Sequence, residues 1–306
     1  MTTEFFKPVT TRHSGHLRYK YWQAPQPKRE RGLVILQGGR SEFFEKYAEV
    51  AEDLLERNFS VASMDWRGQG GSARLLPDPH KGHIDTFRTY INDFHGFLRE
   101  LGQTYHPETT VFMSHSMGGN ILTRYTQRYP ESARSLVLSA PMFSYRVGIL
   151  PWQTITTMAS ALGAGAAEQY APTQGKWHWR RPEAFFRFNR VSHSRTRFTR
   201  NLDYWKTDPS LIVGGATNGW LNEAAKSCSE LLIPNALKQL TLPVLMVSGR
   251  EDLVVGYREH CEAAKFIPNL RHLTLHGSRH EVLQEVDDVR DSFWRAFDEQ
   301  MSSIRL

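Results

Sequence analysis

Two cysteines in 306 residues, Cys228 and Cys261, leave no room for a disulfide framework and fit a reducing compartment. Neither lies in a metal or redox motif, so both read as buried small residues rather than reactive thiols. No zinc-type ligand spacing occurs, and neither metal nor cofactor is expected. No apolar run is long enough to span a bilayer, and the start, Met1-Thr2-Thr3-Glu4-Phe5-Phe6-Lys7-Pro8, lacks the apolar core of a signal peptide. These absences read as a cytoplasmic protein. Internal repeats and low-complexity tracts are absent too. The glycine-rich stretch Gly68-Gln69-Gly70-Gly71-Ser72 has neither the G-x-x-x-x-G-K-[ST] pattern of a phosphate loop nor dinucleotide-type spacing, so it reads as a turn.

What is present centres on Thr109-Thr110-Val111-Phe112-Met113-Ser114-His115-Ser116-Met117-Gly118-Gly119. A β-branched and apolar run stops at small residues, and a helical pattern through Ile121, Leu122 and Tyr125 follows at once. Strand, sharp turn and helix in that order put the Ser116 side chain at the apex of the bend. A nucleophile on such a turn brings the backbone on either side very close, so Ser114 and Gly118 must be small.

The same alternation runs along the chain. Residues 17–23 alternate as a strand, and Gly32-Leu33-Val34-Ile35-Leu36-Gln37-Gly38-Gly39 is a continuous apolar run ending in glycines, as a doubly buried strand requires. A helix is expected over 42–57, a strand over 59–65, and a core-packed helix through Ile84, Phe87, Ile91, Phe94, Leu98 and Leu101. Further strands are expected at 133–141, from Leu242, and at 270–275, with a closing amphipathic helix carrying Val289, Phe293, Trp294 and Phe297. Alternating strands and helices imply an α/β fold with a mostly parallel sheet and helices on both faces. Reactive groups in such sheets gather beyond the carboxyl ends of the strands. Ser116, Asp252 and His280 each lie just past such an end.

Their order is serine, acid, histidine, and with these residues the chain resembles the α/β-hydrolases of the serine type. The elbow Ser114-His115-Ser116-Met117-Gly118-Gly119 is similar to the G-H-S-M-G-G of monoacylglycerol lipases and bacterial lysophospholipases. Gly38-Gly39-Arg40-Ser41-Glu42 and Asp65-Trp66-Arg67-Gly68-Gln69-Gly70-Gly71-Ser72 resemble the two preceding loops of that branch. Asp78-Pro79-His80-Lys81-Gly82-His83 looks more like the inner-membrane lysophospholipases than the glyceride lipases. Ser114 stands where the family's G-x-S-x-G has its first glycine. The resemblance implies an eight-stranded α/β-hydrolase sheet, with Ser116 as nucleophile, His280 as base and Asp252 as its orienting acid. It implies an oxyanion hole from the backbone N–H groups of Met117 and Gly39. Asp65 and Glu251 are rival acids, His272 and His276 lack the Gly-x-x-His spacing, and His115 is expected to be a packed neighbour.

Residues 1–143 and 241–306 are expected to form the hydrolase core, and 144–240 a helical cap. That insertion holds twelve Lys and Arg against six Asp and Glu, a surplus of six equal to the net charge of the whole chain, +6. Most of it lies in Lys176–Arg200, interleaved with Trp177, Trp179, Phe185, Phe186, Phe188 and Phe198. Basic residues among aromatics suit an anionic lipid surface or a phosphate headgroup. Arg180, Arg181, Arg187, Arg190, Trp177 and Trp179 are therefore the expected lipid-binding residues. No nucleic-acid module is recognisable. The expectation is an esterase of single-chain lipids, foremost a lysophospholipase with peripheral contact at the inner membrane face. The alternatives are a monoacylglycerol lipase, a broad carboxylesterase, or a catalytically silent binding protein of the same fold. Acyl length, headgroup and oligomeric state are not legible.

Overall fold

The computed structural model describes residues 3–6, 15–147, 150–151, 154, 157, 164–179 and 182–306. Eight strands make one sheet: β1 Thr3–Phe6, β2 Leu17–Trp22, β3 Leu33–Gln37, β4 Ser60–Met64, β5 Thr110–His115, β6 Ser135–Ser139, β7 Val244–Gly249 and β8 Leu270–Leu275. Their spatial order is β1-β2-β4-β3-β5-β6-β7-β8, antiparallel from β1 through β2 to β4 and parallel thereafter. The apolar runs became the central strands: every residue of β3, β5 and β7 is buried. Each large aliphatic side chain so buried is worth roughly 1.5–3 kcal/mol. β8 is the half-exposed edge.

The helices of six residues or more among the described residues are α1 Ala48–Glu56, α2 Phe87–Leu101, α3 Met117–Arg128, α4 Pro182–Arg187, α5 Arg195–Thr207, α6 Asn218–Leu231, α7 Tyr257–Ala264 and α8 Asp287–Ser303. The chain leaves β3 toward β4 on one side and returns toward β5 on the other. Right-handed crossovers therefore send α1 and α2 to opposite faces. α1 pairs with α8, where Arg57 lies over Trp294 and reaches Asp298 at 2.8 Å. α2 packs on α3 through Phe94 and Tyr125, ring centroids 4.9 Å apart.

Two local expectations change. The helix expected from residue 42 begins as a 3₁₀ turn, Phe44–Tyr47, whose first N–H is satisfied by Asp65 Oδ1 at 2.9 Å. The short β1 edge is the eighth strand of the expected sheet, whose place the sequence pattern did not locate. Between β6 and β7 the described residues add no strand to the main sheet; Arg146–Val147 pairs only with Leu150–Pro151. The 78–83 loop is zipped to this insertion by backbone bonds, Gly82 N–H to Gly215 O and Thr217 N–H to Gly82 O, both 3.0 Å.

Candidate active site

Three turns beyond the sheet's carboxyl edge supply the site. Ser116 follows β5 and precedes α3 with φ 51° and ψ −117°, left-handed backbone that costs a non-glycine residue on the order of 1–3 kcal/mol. Its own N–H donates to Ser139 O at 3.1 Å and its carbonyl accepts from Met142 N–H at 2.8 Å, which holds the strained turn in place. Smallness is required where the sequence suggested it: a methyl on Gly118 would lie 2.6 Å from Gly38 O. Ser114 is fully buried.

Asp252 follows β7 and His280 follows β8, and their turns are tied by Glu251 N–H to Ser278 O at 2.9 Å. Gly249 permits this packing, since a Cβ there would lie 2.2 Å from Arg279 O. His280 Nε2 stands 2.9 Å from Ser116 Oγ, and His280 Nδ1 stands 2.7 Å from Asp252 Oδ2. A carboxylate only accepts, so Nδ1 carries the proton and Nε2 offers its lone pair to the serine hydroxyl. Asp252 Oδ1 accepts from Val254 and Val255 N–H at 2.7 and 3.0 Å, which fixes the carboxylate. Burial works against both charges. The imidazole nonetheless holds Asp252 below the usual carboxylate range, and Asp252, with Glu281 and Glu42 behind it, holds His280 above the usual histidine value. The arrangement can move a proton from Ser116 to His280 and leave a nucleophilic alkoxide.

The rival residues are placed elsewhere. Asp65 is buried in a structural cluster, accepting from Arg18 Nε and Gly71 N–H, each at 2.7 Å. Gly70 makes space for it, because a Cβ there would sit 2.2 Å from Asp65 Oδ2. Glu251 is exposed and faces His193 at 3.5 Å. His272 meets Ser248 Oγ at 2.8 Å. His115 packs its ring 4.6 Å from that of His280 and donates Nδ1–H to Ser139 O at 3.2 Å. Burial pushes its pKa down to about 3, so it is neutral.

Gly39 closely approaches the nucleophile; a Cβ on it would lie 3.0 Å from Ser116 Cβ. Its N–H, however, is donated to Glu42 Oε2. The amide expected to face an oxyanion is thus turned to a carboxylate, because Glu42 folds back over its own loop. That carboxylate heads a buried network outside the sequence-based expectation. Lys46 Nζ bridges Glu42 Oε1 and Glu281 Oε1 at 2.6 Å each, and Tyr47 donates to Glu42 Oε2 at 2.6 Å. Burial opposes the Glu42 charge, but Lys46, His115 and Tyr47 hold its pKa at about 2. The four-residue spacing of Glu42 and Lys46 was the one available signal; the Glu281 arm comes only from the fold.

Two cavities meet here. The catalytic one, about 390 Å³, exposes Ser116 and His280 between Met142, Trp220, Leu221 and Val255. The other, about 420 Å³, is lined by Phe43, Trp177, Phe185, Phe188, Phe198 and Trp205. They share Arg40, Glu42, Arg190, Val191 and Glu281 as a common wall. The expected lipid-binding residues separate. Trp177 stacks on Phe185 at 5.1 Å within the aromatic cavity, whereas Trp179 is 48% exposed. Arg190 lines both cavities and donates to Leu253 O at 2.9 Å. Arg187 is exposed over Phe188, at 5.8 Å. Arg180 and Arg181 lie outside the described residues.

Known proteins place this geometry. The family model described as "Serine aminopeptidase, S33" matches residues 28–287. Lysophospholipase L2 of Escherichia coli is 35% identical over 267 residues, covering 84% of this chain and 76% of that protein. A monoacylglycerol lipase of Mycolicibacterium smegmatis is 28% identical, covering 74% of this chain and 71% of its own length. Among solved structures, the monoacylglycerol lipase of Paleococcus ferrophilus superposes with a TM-score of 0.73 at 20% identity, covering 94% of this chain and 99% of the other, which shows the shared fold. The chain belongs to the S33 serine aminopeptidase family and is a serine hydrolase of the α/β-hydrolase fold.

Proposed function

We propose that the chain is a lysophospholipase that releases a fatty acid from a single-chain phospholipid. Ser116 Oγ attacks the acyl carbonyl as its proton passes to His280 Nε2, and Asp252 stabilises the imidazolium. The tetrahedral oxyanion is received by Met117 N–H, the first amide after the nucleophile. With Gly39 N–H held by Glu42, Met117 is the remaining donor of the expected pair. His280 then protonates the departing glycerol oxygen, and water repeats the cycle on the acyl-enzyme.

The observation that carries the substrate class is the joining of two unlike cavities. Arg40 and Arg190 stand on the common wall; the catalytic cavity adds Arg146 to its apolar sides, while its neighbour adds six aromatic rings. A chain sheltered in the aromatic cavity gains about 0.8 kcal/mol per buried methylene, so the tail supplies most of the affinity and the arginines select the headgroup. The likeness to lysophospholipase L2 supports the same reading. Residues 144–240 act as a cap in this proposal. Phe188, 70% exposed, with Trp179 and Arg187, is the part that touches an anionic membrane surface. No helix among the described residues is long and apolar enough to cross that membrane.

A hydrolysis panel at one acyl length tests the reading: lysophosphatidylcholine, lysophosphatidylethanolamine, monoacylglycerol and short nitrophenyl esters. kcat/KM for the lysophospholipids is expected to exceed that for monoacylglycerol by about tenfold or more, one charge-assisted contact's worth. Equal or better turnover of monoacylglycerol makes the protein a glyceride lipase. Best turnover of the short esters makes it a general esterase.

A further inference from the structure

Arg197 and Arg200 of the insertion pair with a core carboxylate, Glu49; Arg40, on the core side, finds none among the described residues. It follows β3 on the loop that passes the nucleophile, and it lines the catalytic cavity together with Ser116 and His280. One nitrogen, Nη2, donates to Gly214 O at 2.6 Å. Nε is buried without a hydrogen-bond partner, and no carboxylate pairs with the guanidinium among the described residues. The indole of Trp220 lies beneath it at 5.2 Å. The two carboxylates of the same cavity are already engaged, since Glu42 and Glu281 both bind Lys46. Burial without a counter-charge draws the Arg40 pKa down to about 10, which leaves it cationic at neutral pH.

The fold also makes room for this cation. Gly82, in the loop zipped to the insertion, has no Cβ where one would lie 2.4 Å from Arg40 Nη2. Its backbone bonds to Gly215 and Thr217 keep that space in register with the Gly214 carbonyl that Arg40 uses. Arg197 finds a carboxylate in Glu49, and Arg74 and Arg279, which bind only carbonyls across the same seam, do not line the catalytic cavity, whereas Arg40 does. A guanidinium kept cationic, seated on a carbonyl and an indole, and left with donor capacity beside a nucleophile is arranged for an anion that arrives with the substrate.

We propose that Arg40 receives the phosphate of the lipid headgroup inside the catalytic cavity, which makes it a specificity-determining residue. The proposal rests on the lysophospholipase reading for its substrate, but its binding test does not depend on turnover. In that arrangement the fork donates to phosphate oxygens of a bound lysophospholipid, while Trp220 packs beneath the guanidinium and excludes water. A neutral glyceride has nothing to offer the cation, so selectivity arises without any contact to the ester.

Calorimetric titration of the Ser116→Ala protein decides the matter, with dodecylphosphocholine, neutral 1-O-dodecylglycerol and glycerol 3-phosphate as probes below micellar concentrations. Adding Arg40→Gln is expected to weaken dodecylphosphocholine on the order of 10- to 100-fold and dodecylglycerol about threefold or less. Arg40→Lys should recover part of the loss, because it keeps charge but not the planar fork. Gly82→Ala, which displaces the guanidinium without removing it, should reproduce the selective loss and carries the test if Arg40→Gln does not fold. Equal weakening of both dodecyl probes in the two variants overturns the proposal and leaves Arg40 a staple for the insertion. Glycerol 3-phosphate binding as tightly as dodecylphosphocholine overturns the lipid source in favour of a free phosphate ester. A hydrolysis panel favouring monoacylglycerol, with the selective binding loss intact, sinks the lysophospholipase reading but not the phosphate subsite.

Discussion

The sheet and the insertion are held by different physics. The central strands are buried end to end, and the catalytic turns sit on them through backbone bonds and glycines that admit close approach. The insertion shares that apolar core mainly through α6, with Trp220, Leu221, Ala224, Cys228 and Leu231, while α5 is fastened from outside by charge. Arg197 makes a forked pair with Glu49 at 2.6–3.1 Å and reaches Asp287 at 2.8 Å, and Arg200 also binds Glu49. His193 bonds to the buried Glu285, which accepts Arg279 N–H beside the catalytic histidine. Part of the insertion's positive charge is therefore engaged in an ionic seam with the core, and the surplus is not all available to a lipid. Composition tells how much charge a segment carries; only the contacts tell what already owns it.

The contrast breaks most sharply at the nucleophile, where one atom matters. Ser116→Ala is expected to lower turnover on the order of a millionfold. A fluorophosphonate probe should label the wild-type protein once and the variant not at all. Retention of more than a few per cent of activity would remove the catalytic assignment from this turn.

Next in size is the pair of buried aspartates, one catalytic and one structural in this reading. Asp252→Asn should fold and lower kcat by roughly 10⁴. Asp65→Asn should instead lower the melting temperature with activity per folded molecule kept, since its carboxylate serves Arg18, Phe44 and Gly71. The pH profile sharpens the distinction. Activity requires neutral His280, whose pKa is raised, so kcat/KM should fall with decreasing pH through a midpoint above ~6.5, histidine's ordinary value. Asp252, depressed, stays ionised throughout that range. Asparagine at 252 removes the main raising influence and leaves burial, so the residual activity should show its acid limb at lower pH. An unmoved limb would mean that another group controls it.

How much of this was legible follows the same division. Apolar runs that stop at small residues marked the central strands, and the three turns after β5, β7 and β8 followed from the rule that parallel sheets gather chemistry at one edge. The resemblance then assigned roles to Ser116, Asp252 and His280, and the geometry brings those three within hydrogen-bond reach. The Gly39 amide could not be read, because its direction depends on Glu42 folding back. Lys46 joins residues 42 and 281, which no local pattern connects. Arg40 and Gly82 lie in motifs noticed only as resemblances; their meeting is a fact of three dimensions.

The smallest effect tests the ionic seam. Glu49 accepts from Arg197 and Arg200 and pairs with the charge of Arg290, and although burial opposes its own charge these partners hold its pKa at about 2. A depressed carboxylate contributes stability that is complete above its unfolded value, ~4.3, and is lost as pH falls through the folded value near 2. The site is partly exposed, so solvent screening reduces the contribution to about 1–2 kcal/mol. Glu49→Gln should accordingly lower the melting temperature by roughly 2–8 °C at pH 7, with the difference from wild type shrinking as pH drops below 4. Freed from their partner, Arg197 and Arg200 should also strengthen cosedimentation with anionic vesicles, each by about 1 kcal/mol at most, and lose that gain at high salt. A variant as stable as wild type, with unchanged vesicle binding, would show that the seam is an accident of proximity and that the insertion is held by apolar packing, α6 included.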